Sequence, residues 1–275
     1  MRFANLNGNL LPADALVIKS SNSVLRYGFG LFETMLVQEG QVLLDSYHWE
    51  RLFEGMRQLA FTIPAHFTPV YLQEEIRKTL RKNGLEKLCR LRLQVFTDKE
   101  HLFMKEETLP GFLIECFSLE IETTLWNEQG WICGIAQNLY KPADAFSGLK
   151  TCAALPYAIA AQQAIAHGWD DALILNPQHR IIESAIANIF WVKDQQFYTT
   201  PVSEGCIAGV MRRHLLTECA RVGMPVQETP LTQKELHQAD EVVLTNAIRR
   251  MKWVNEIAGS VYSHSFTREL YNRLF

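Results

Sequence analysis

Glu183 constrains this chain more than any other residue. It stands between Ile181-Ile182 and the Ala-rich stretch Ser184-Ala185-Ile186-Ala187, so a fold that buries this apolar segment buries a carboxylate with it. An acid in such surroundings is expensive without a partner. The partner can be internal, an arginine or the N-terminus of a helix, or it can be a cationic group on a bound molecule.

The rest of the chain supplies a scaffold large enough to build such a site. With 275 residues, 48% of them hydrophobic, there is material for one large domain or two modest ones. A formal charge of −3 gives no basic field to hold a polyanion, which argues against nucleic acid as a partner. The N-terminus lacks the pattern of a secretory signal, and no run of about 18 apolar residues occurs, so a soluble cytoplasmic protein with no membrane partner is expected. The six cysteines are scattered, with no Cys-x-x-Cys and no histidine at metal-ligand spacing. They read as small core residues in a reducing compartment, and no metal is expected.

Local patterns describe a mixed α/β chain. The first 45 residues are strand-like, turning at Asn7-Gly8 and again at Glu39-Gly40. Asp45 is placed to cap a helix with Leu52, Phe53, Met56 and Leu59 at helical spacing. Thr68-Pro69 opens a second helix that Gly84 closes. From Leu88 to Val95 apolar residues alternate with Arg90, Arg92 and Gln94, and Gly111 to Leu119 forms another strand. The polar stretch 121–129 is the expected linker between an N-terminal α/β domain, 1–120, and a C-terminal domain, 130–275. In the second domain we expect a strand at 131–138 and an Ala-rich helix at 156–167. Strands at 172–175, 188–192 and 197–200, a helix at 209–222, a capping box at Thr232 and Glu235, and a strand at 242–244 follow.

Lys150 follows Gly148-Leu149 at an expected strand-to-helix junction, 33 positions before Glu183. Alone, a loop lysine is a solvated charge, and Arg51 alone is a surface partner for Glu50 or Glu54. Together with the Gly205-Cys206-Ile207-Ala208-Gly209-Val210 turn that opens a helix, and Thr245 after a strand, they make a different set. Arginine, helix-start amides and a hydroxyl can cradle a phosphate. A lysine able to form a Schiff base, and an acid able to hold a pyridinium nitrogen, complete the minimal equipment for pyridoxal 5'-phosphate chemistry.

The ordered set Leu25-Arg26-Tyr27-Gly28-x-Gly30-Leu31-Phe32-Glu33-Thr34, His48-x-x-Arg51-Leu52, Leu149-Lys150-Thr151, Asp171 to Asn176, Glu183-Ser184-x-x-x-Asn188-Ile189-Phe190, Thr200-Pro201, Gly209-Val210-Met211-Arg212 and Thr245-Asn246-Ala247 resembles the class IV aminotransferases. These are the fold-type-IV pyridoxal phosphate enzymes, among them branched-chain and D-amino-acid aminotransferases and aminodeoxychorismate lyases. The resemblance covers nearly the whole chain. It implies two domains, a smaller N-terminal α/β sandwich and a larger C-terminal pseudo-barrel that binds the cofactor, in a homodimer whose small-molecule substrates are an amino acid and a keto acid.

By motif matching, Lys150 would be the Schiff-base lysine and Glu183 the ring-nitrogen partner. Arg51, the amides of Val210 and Met211, and the Thr245 hydroxyl would hold the phosphate. Ile207 would lie against the ring, while Tyr27, Arg92, Asn246 and Ala247 would face the substrate. Three departures bear on subfamily. Met211 stands where many relatives carry Thr, and Leu155 where branched-chain enzymes place a tyrosine five residues after the lysine. The Arg-x-His carboxylate trap of the D-amino-acid enzymes is not evident around Thr97-Asp98-Lys99. An amino-group transfer is the resulting expectation. Pyruvate elimination to give 4-aminobenzoate is the alternative, and a non-catalytic binding protein on the same shell is the third reading.

Overall fold

The structure is a computed structural model that describes residues 1–97 and 107–275; Asp98 and Lys99 lie outside the described residues. It divides into two compact units, Met1–Thr123 with Leu149–Ala154, and Thr124–Gly148 with Leu155–Phe275.

The first unit contains β1 (Phe3–Leu6), β2 (Asn9–Pro12), α1 (Ser23–Tyr27), β3 (Leu31–Gln38), β4 (Gln41–Val42), α2 (Asp45–Gln58), α3 (Pro69–Asn83), β5 (Leu88–Phe96) and β6 (Gly111–Ser118). Its sheet runs β2-β1-β6-β5-β3-β4, and every neighbouring pair is antiparallel. One face of the sheet packs on α2 and α3, so Met35, Leu91, Leu93 and Ile114 meet Leu52, Met56, Leu72 and Ile76 in one core. Thr68 caps α3 through the Tyr71 amide, and Gly84 ends it in the left-handed conformation, as the sequence predicts. Asp45 differs from expectation. Leu44 occupies the cap position, and Asp45 is the first helical residue, where its charge favours the helix N-terminus.

Leu149–Ala154, which the sequence assigns to the second domain, belongs to the first unit. The Phe32 amide donates to Lys150 O at 3.0 Å and the Cys152 amide to Gly30 O at 2.8 Å, so this segment extends the edge near the start of β3.

In the second unit are β7 (Trp131–Tyr140), α4 (Leu155–His167), β8 (Asp171–Leu175), β9 (Arg180–Ser184), β10 (Asn188–Lys193), β11 (Gln196–Thr199), α5 (Val210–Arg221), β12 (Gln227–Glu228), β13 (Leu231–Thr232), α6 (Gln233–His237), β14 (Glu241–Asn246), β15 (Arg250–Ile257), β16 (Ser260–Val261) and α7 (Ser265–Leu274). The sheet path β10-β14-β15-β7-β8-β9 returns to β10 through the bridge between Glu183 and Asn188, which closes a barrel-like ring. Trp131, Ile135, Leu173, Ile189, Leu244 and Val254 fill one side of this sheet. Helix α4 covers the other with Ala160 and Ala164 against Ala136, Ala172 and Ile174. This is the pseudo-barrel expected of the second domain. No helix among the described residues is long and apolar enough to cross a membrane.

Close approach fixes Gly134 on β7. A Cβ there would lie 2.1 Å from two ring atoms of Trp169, whose indole stacks on His167 at 4.5 Å. Gly134→Ala is therefore expected to destabilise the protein by about 1–3 kcal/mol, read as a lower urea midpoint with an unchanged slope. An unchanged midpoint would show that Trp169 moves aside without cost.

Candidate active site

Strand register aligns the key residues of the second unit. Glu183 on β9 pairs with Asn188 on β10, and Asn188 pairs with Thr245 on β14, so the three form one row across neighbouring strands. At about 4.8 Å per strand the ends of that row stand roughly 10 Å apart along the sheet. A phosphorylated pyridine has comparable length.

Glu183 is 2% exposed, and its charge is met from three directions. Lys141 Nζ donates to Oε1 at 2.8 Å, the Tyr157 hydroxyl donates to the same oxygen at 2.8 Å, and the Ile207 amide donates to Oε2 at 3.0 Å. Burial, and then the nearby Glu183 charge, push the Tyr157 phenol well above its ordinary range, which keeps it a donor. The internal partner for the acid is thus a lysine with a phenol and a backbone amide, rather than an arginine. Sequence reading assigned Ile207 to the ring face; its backbone also orients the acid.

Around this acid the loops are tightly specified. Asn188 Nδ2 donates to Ile207 O at 2.8 Å, and its Oδ1 comes within 1.9 Å of where a Cβ on Gly209 would sit. Only glycine fits at 209. Gly209 is the N-cap of α5 and supplies no side-chain cap, so the first-turn amides, including those of Val210 and Met211, are not satisfied by a capping side chain. Thr245 Oγ1 is buried and has no hydrogen-bond partner among the described residues. A buried orphan hydroxyl in a row with Glu183, in a unit where an uncapped helix start is also buried, suits an anion such as a phosphate. These residues fit pyridoxal phosphate in that respect.

Asn246 behaves differently from a substrate-facing amide side chain. Its Oδ1 accepts from the Ile248 and Arg249 amides and its Nδ2 donates to Ile186 O, so the side chain builds the turn after β14. Its backbone and that of Ala247 follow directly from Thr245.

In the first unit, Arg51 pairs with Glu33. Its Nε reaches Oε1 at 2.8 Å and its second terminal nitrogen reaches Oε2 at 2.5 Å, while His48 Nδ1 lies 2.6 Å from Oε2. His48 and Arg51, three apart on α2, share the helix face turned to β3. The signal for this triad is an acid at an inward position of the alternation Leu31, Glu33, Met35, Val37. Lys150 and Arg92 both approach the Phe32 ring, at 4.6 and 3.9 Å from its centroid. Burial lowers the Arg92 guanidinium from its ordinary value. Tyr27 ends α1 and is half exposed.

The profile of the class IV amino-transferases matches residues 30–257. The chain belongs to that family. It is 27% identical over 271 residues to a putative branched-chain-amino-acid aminotransferase of Methanocaldococcus jannaschii, covering 98% of this chain and 92% of the relative. It is 26% identical over 225 residues to an aminodeoxychorismate lyase of Vibrio harveyi, covering 81% of each. The branched-chain aminotransferase of the archaeon Thermoproteus uzoniensis, solved with norvaline, superposes with a TM-score of 0.86 at 22% identity, covering 99% of this chain and 94% of that one. The fold is thereby that of the fold-type-IV aminotransferases. The family depends on pyridoxal phosphate, and another branched-chain enzyme of this fold was solved with pyridoxamine 5'-phosphate.

Glu33 also carries a pH signature. Burial alone would raise its carboxyl, but the Arg51 and His48 charges overcome burial and hold it at about 2, below its ordinary 4.5. A depressed acid stabilises the fold above its unfolded value and loses that contribution as pH falls toward the folded one. The gap corresponds to on the order of 3 kcal/mol, lost between about pH 5 and pH 2. Glu33→Gln should flatten this part of a urea stability profile; a profile parallel to the parent's would remove Glu33 as its source.

Proposed function

We propose that this protein is a pyridoxal-phosphate-dependent aminotransferase, moving an amino group between an α-amino acid, with branched-chain substrates the first to test, and an α-keto acid. The observation that carries the reading is the buried Thr245 hydroxyl, without a partner among the described residues and in one strand row with the Glu183 acid. An orphan donor of this kind calls for an acceptor. The resemblance to the Methanocaldococcus jannaschii protein over nearly the whole chain adds support.

In this proposal Thr245 and the amides of Val210 and Met211 would hold the phosphate, and Arg51 is proposed as a further phosphate ligand. Ile207 packs on the ring face. Glu183 would accept a hydrogen bond from the protonated ring nitrogen. Pyridoxal phosphate, when bound, supplies an electron sink that lets a Cα–H bond of an amino acid break. The Lys150 amine would be the residue that holds the cofactor covalently. As a free amine it would be the base that takes the Cα proton of the substrate. Arg92 would pair with the substrate carboxylate, and Tyr27 and the amides of Asn246 and Ala247 are proposed as further substrate-facing groups. A cytoplasmic homodimer is the proposed working form.

A second reading is favoured by one residue. Leu155, 70% exposed at the start of α4, stands where the branched-chain enzymes carry a tyrosine, and a lyase of Vibrio harveyi matches the chain nearly as well as the transaminase. The same amine and acid would then drive pyruvate elimination.

A half-reaction assay decides between them. On the transferase reading, protein loaded with pyridoxal phosphate forms pyridoxamine phosphate on addition of L-leucine or L-glutamate. On the lyase reading it instead releases pyruvate from aminodeoxychorismate without an amino acceptor. Lys150→Ala should remove the visible absorbance of the bound cofactor and either turnover. Retention of both would overturn the role of Lys150.

A further inference from the structure

Lys141 is the one buried cation in contact with Glu183 among the described residues, and sequence reading gave it no role. The residue is 8% exposed, and the three N–H groups of its ammonium are all used: Glu183 Oε1 at 2.8 Å, Ser147 O at 2.9 Å and Gly205 O at 2.6 Å. Nothing remains for it to offer a ligand directly. Its effect must pass through Glu183.

The oxygens of that acid are not equivalent. Oε1 accepts from both Lys141 and Tyr157, whereas Oε2 accepts only the Ile207 amide among the described residues. One lone pair on Oε2 is therefore left to meet a further donor. We infer that Lys141 is a positioning residue that, with Tyr157, turns Oε2 toward the ring nitrogen of the cofactor and weakens the hold of Glu183 on that nitrogen. This inference rests on the pyridoxal phosphate reading given above.

The physical basis is Coulombic. A protonated ring nitrogen on Oε2 and an ammonium on Oε1 are like charges sharing one carboxylate in a water-poor setting, where their repulsion is strong. Lys141 thus makes the ring a milder electron sink than an unshared glutamate would. A lysine serving only to tie the 142–147 loop to the Gly205 turn would act on shape, without regard to the charge on the ring.

Two probes separate charge from shape: pyridoxal phosphate, and its analogue with the ring nitrogen replaced by C–H, bound to the protein and followed by absorbance titration. The parent should prefer the nitrogen-bearing probe. Lys141→Met should widen that preference by about tenfold, since only the charged ring is relieved of repulsion, and Lys141→Arg should return it to the parent value. Tyr157→Phe, which leaves both loop carbonyl contacts in place, should widen the preference by about threefold and decides the matter should Lys141→Met fail to fold. An unchanged or narrowed preference in these variants, with affinity for both probes falling in parallel, would overturn the inference and leave Lys141 a loop tie. A parent that binds neither probe would instead sink the cofactor reading itself, and this inference with it.

Discussion

The second unit is organised around one buried negative charge. Glu183 closes the barrel-like sheet through its bridge to Asn188, and its carboxylate draws in Lys141, the Tyr157 hydroxyl and the Ile207 amide from three separate stretches of chain. Removing any one donor leaves the others holding a charge that water cannot reach, a cost of about 1–3 kcal/mol for each unpaired polar group. The loop 142–147, the first turns of α4 and the 205–209 turn are thus placed by electrostatics as much as by packing. A fold under this constraint has little freedom to move its acid.

Asn188 transmits the same constraint to the start of α5. Its amide holds Ile207 O, and its own oxygen lies so close to Gly209 that no side chain fits there. The helix therefore begins with a bare backbone, and its amides are left for an acceptor from elsewhere. In the first unit Glu33 plays a matching part toward Arg51 and His48. Each unit buries an acid that fixes the orientation of the side chains or of the loop beside it.

Much of this was legible before any coordinates. Lys150, Glu183, Arg51 and Thr245 stand in short patterns whose chemistry is recognisable, and α3, β5 and α6 carry their caps or alternation openly. Strand β9 was not legible, although it holds Glu183: nearly all of Arg180–Ser184 is buried on both faces, so no alternation marks it. Strand β15 hid for a related reason, because buried Lys252 sits in the middle of it. Lys141 and Tyr157 lie 42 and 26 residues from Glu183, and only the barrel closure and the packing of α4 bring them to it. The Leu149–Ala154 segment went to the first unit through two backbone hydrogen bonds that leave no trace in side-chain pattern.

The Glu183 carboxylate itself is proposed to hold a pyridine nitrogen in its protonated form. Nitrogen-15 NMR of pyridoxal phosphate labelled at the ring and bound to the protein tests it directly. A pyridinium shift near neutral pH is expected in the parent and a neutral-pyridine shift in Glu183→Gln. A neutral ring in the parent, or the same shift in both proteins, would contradict it.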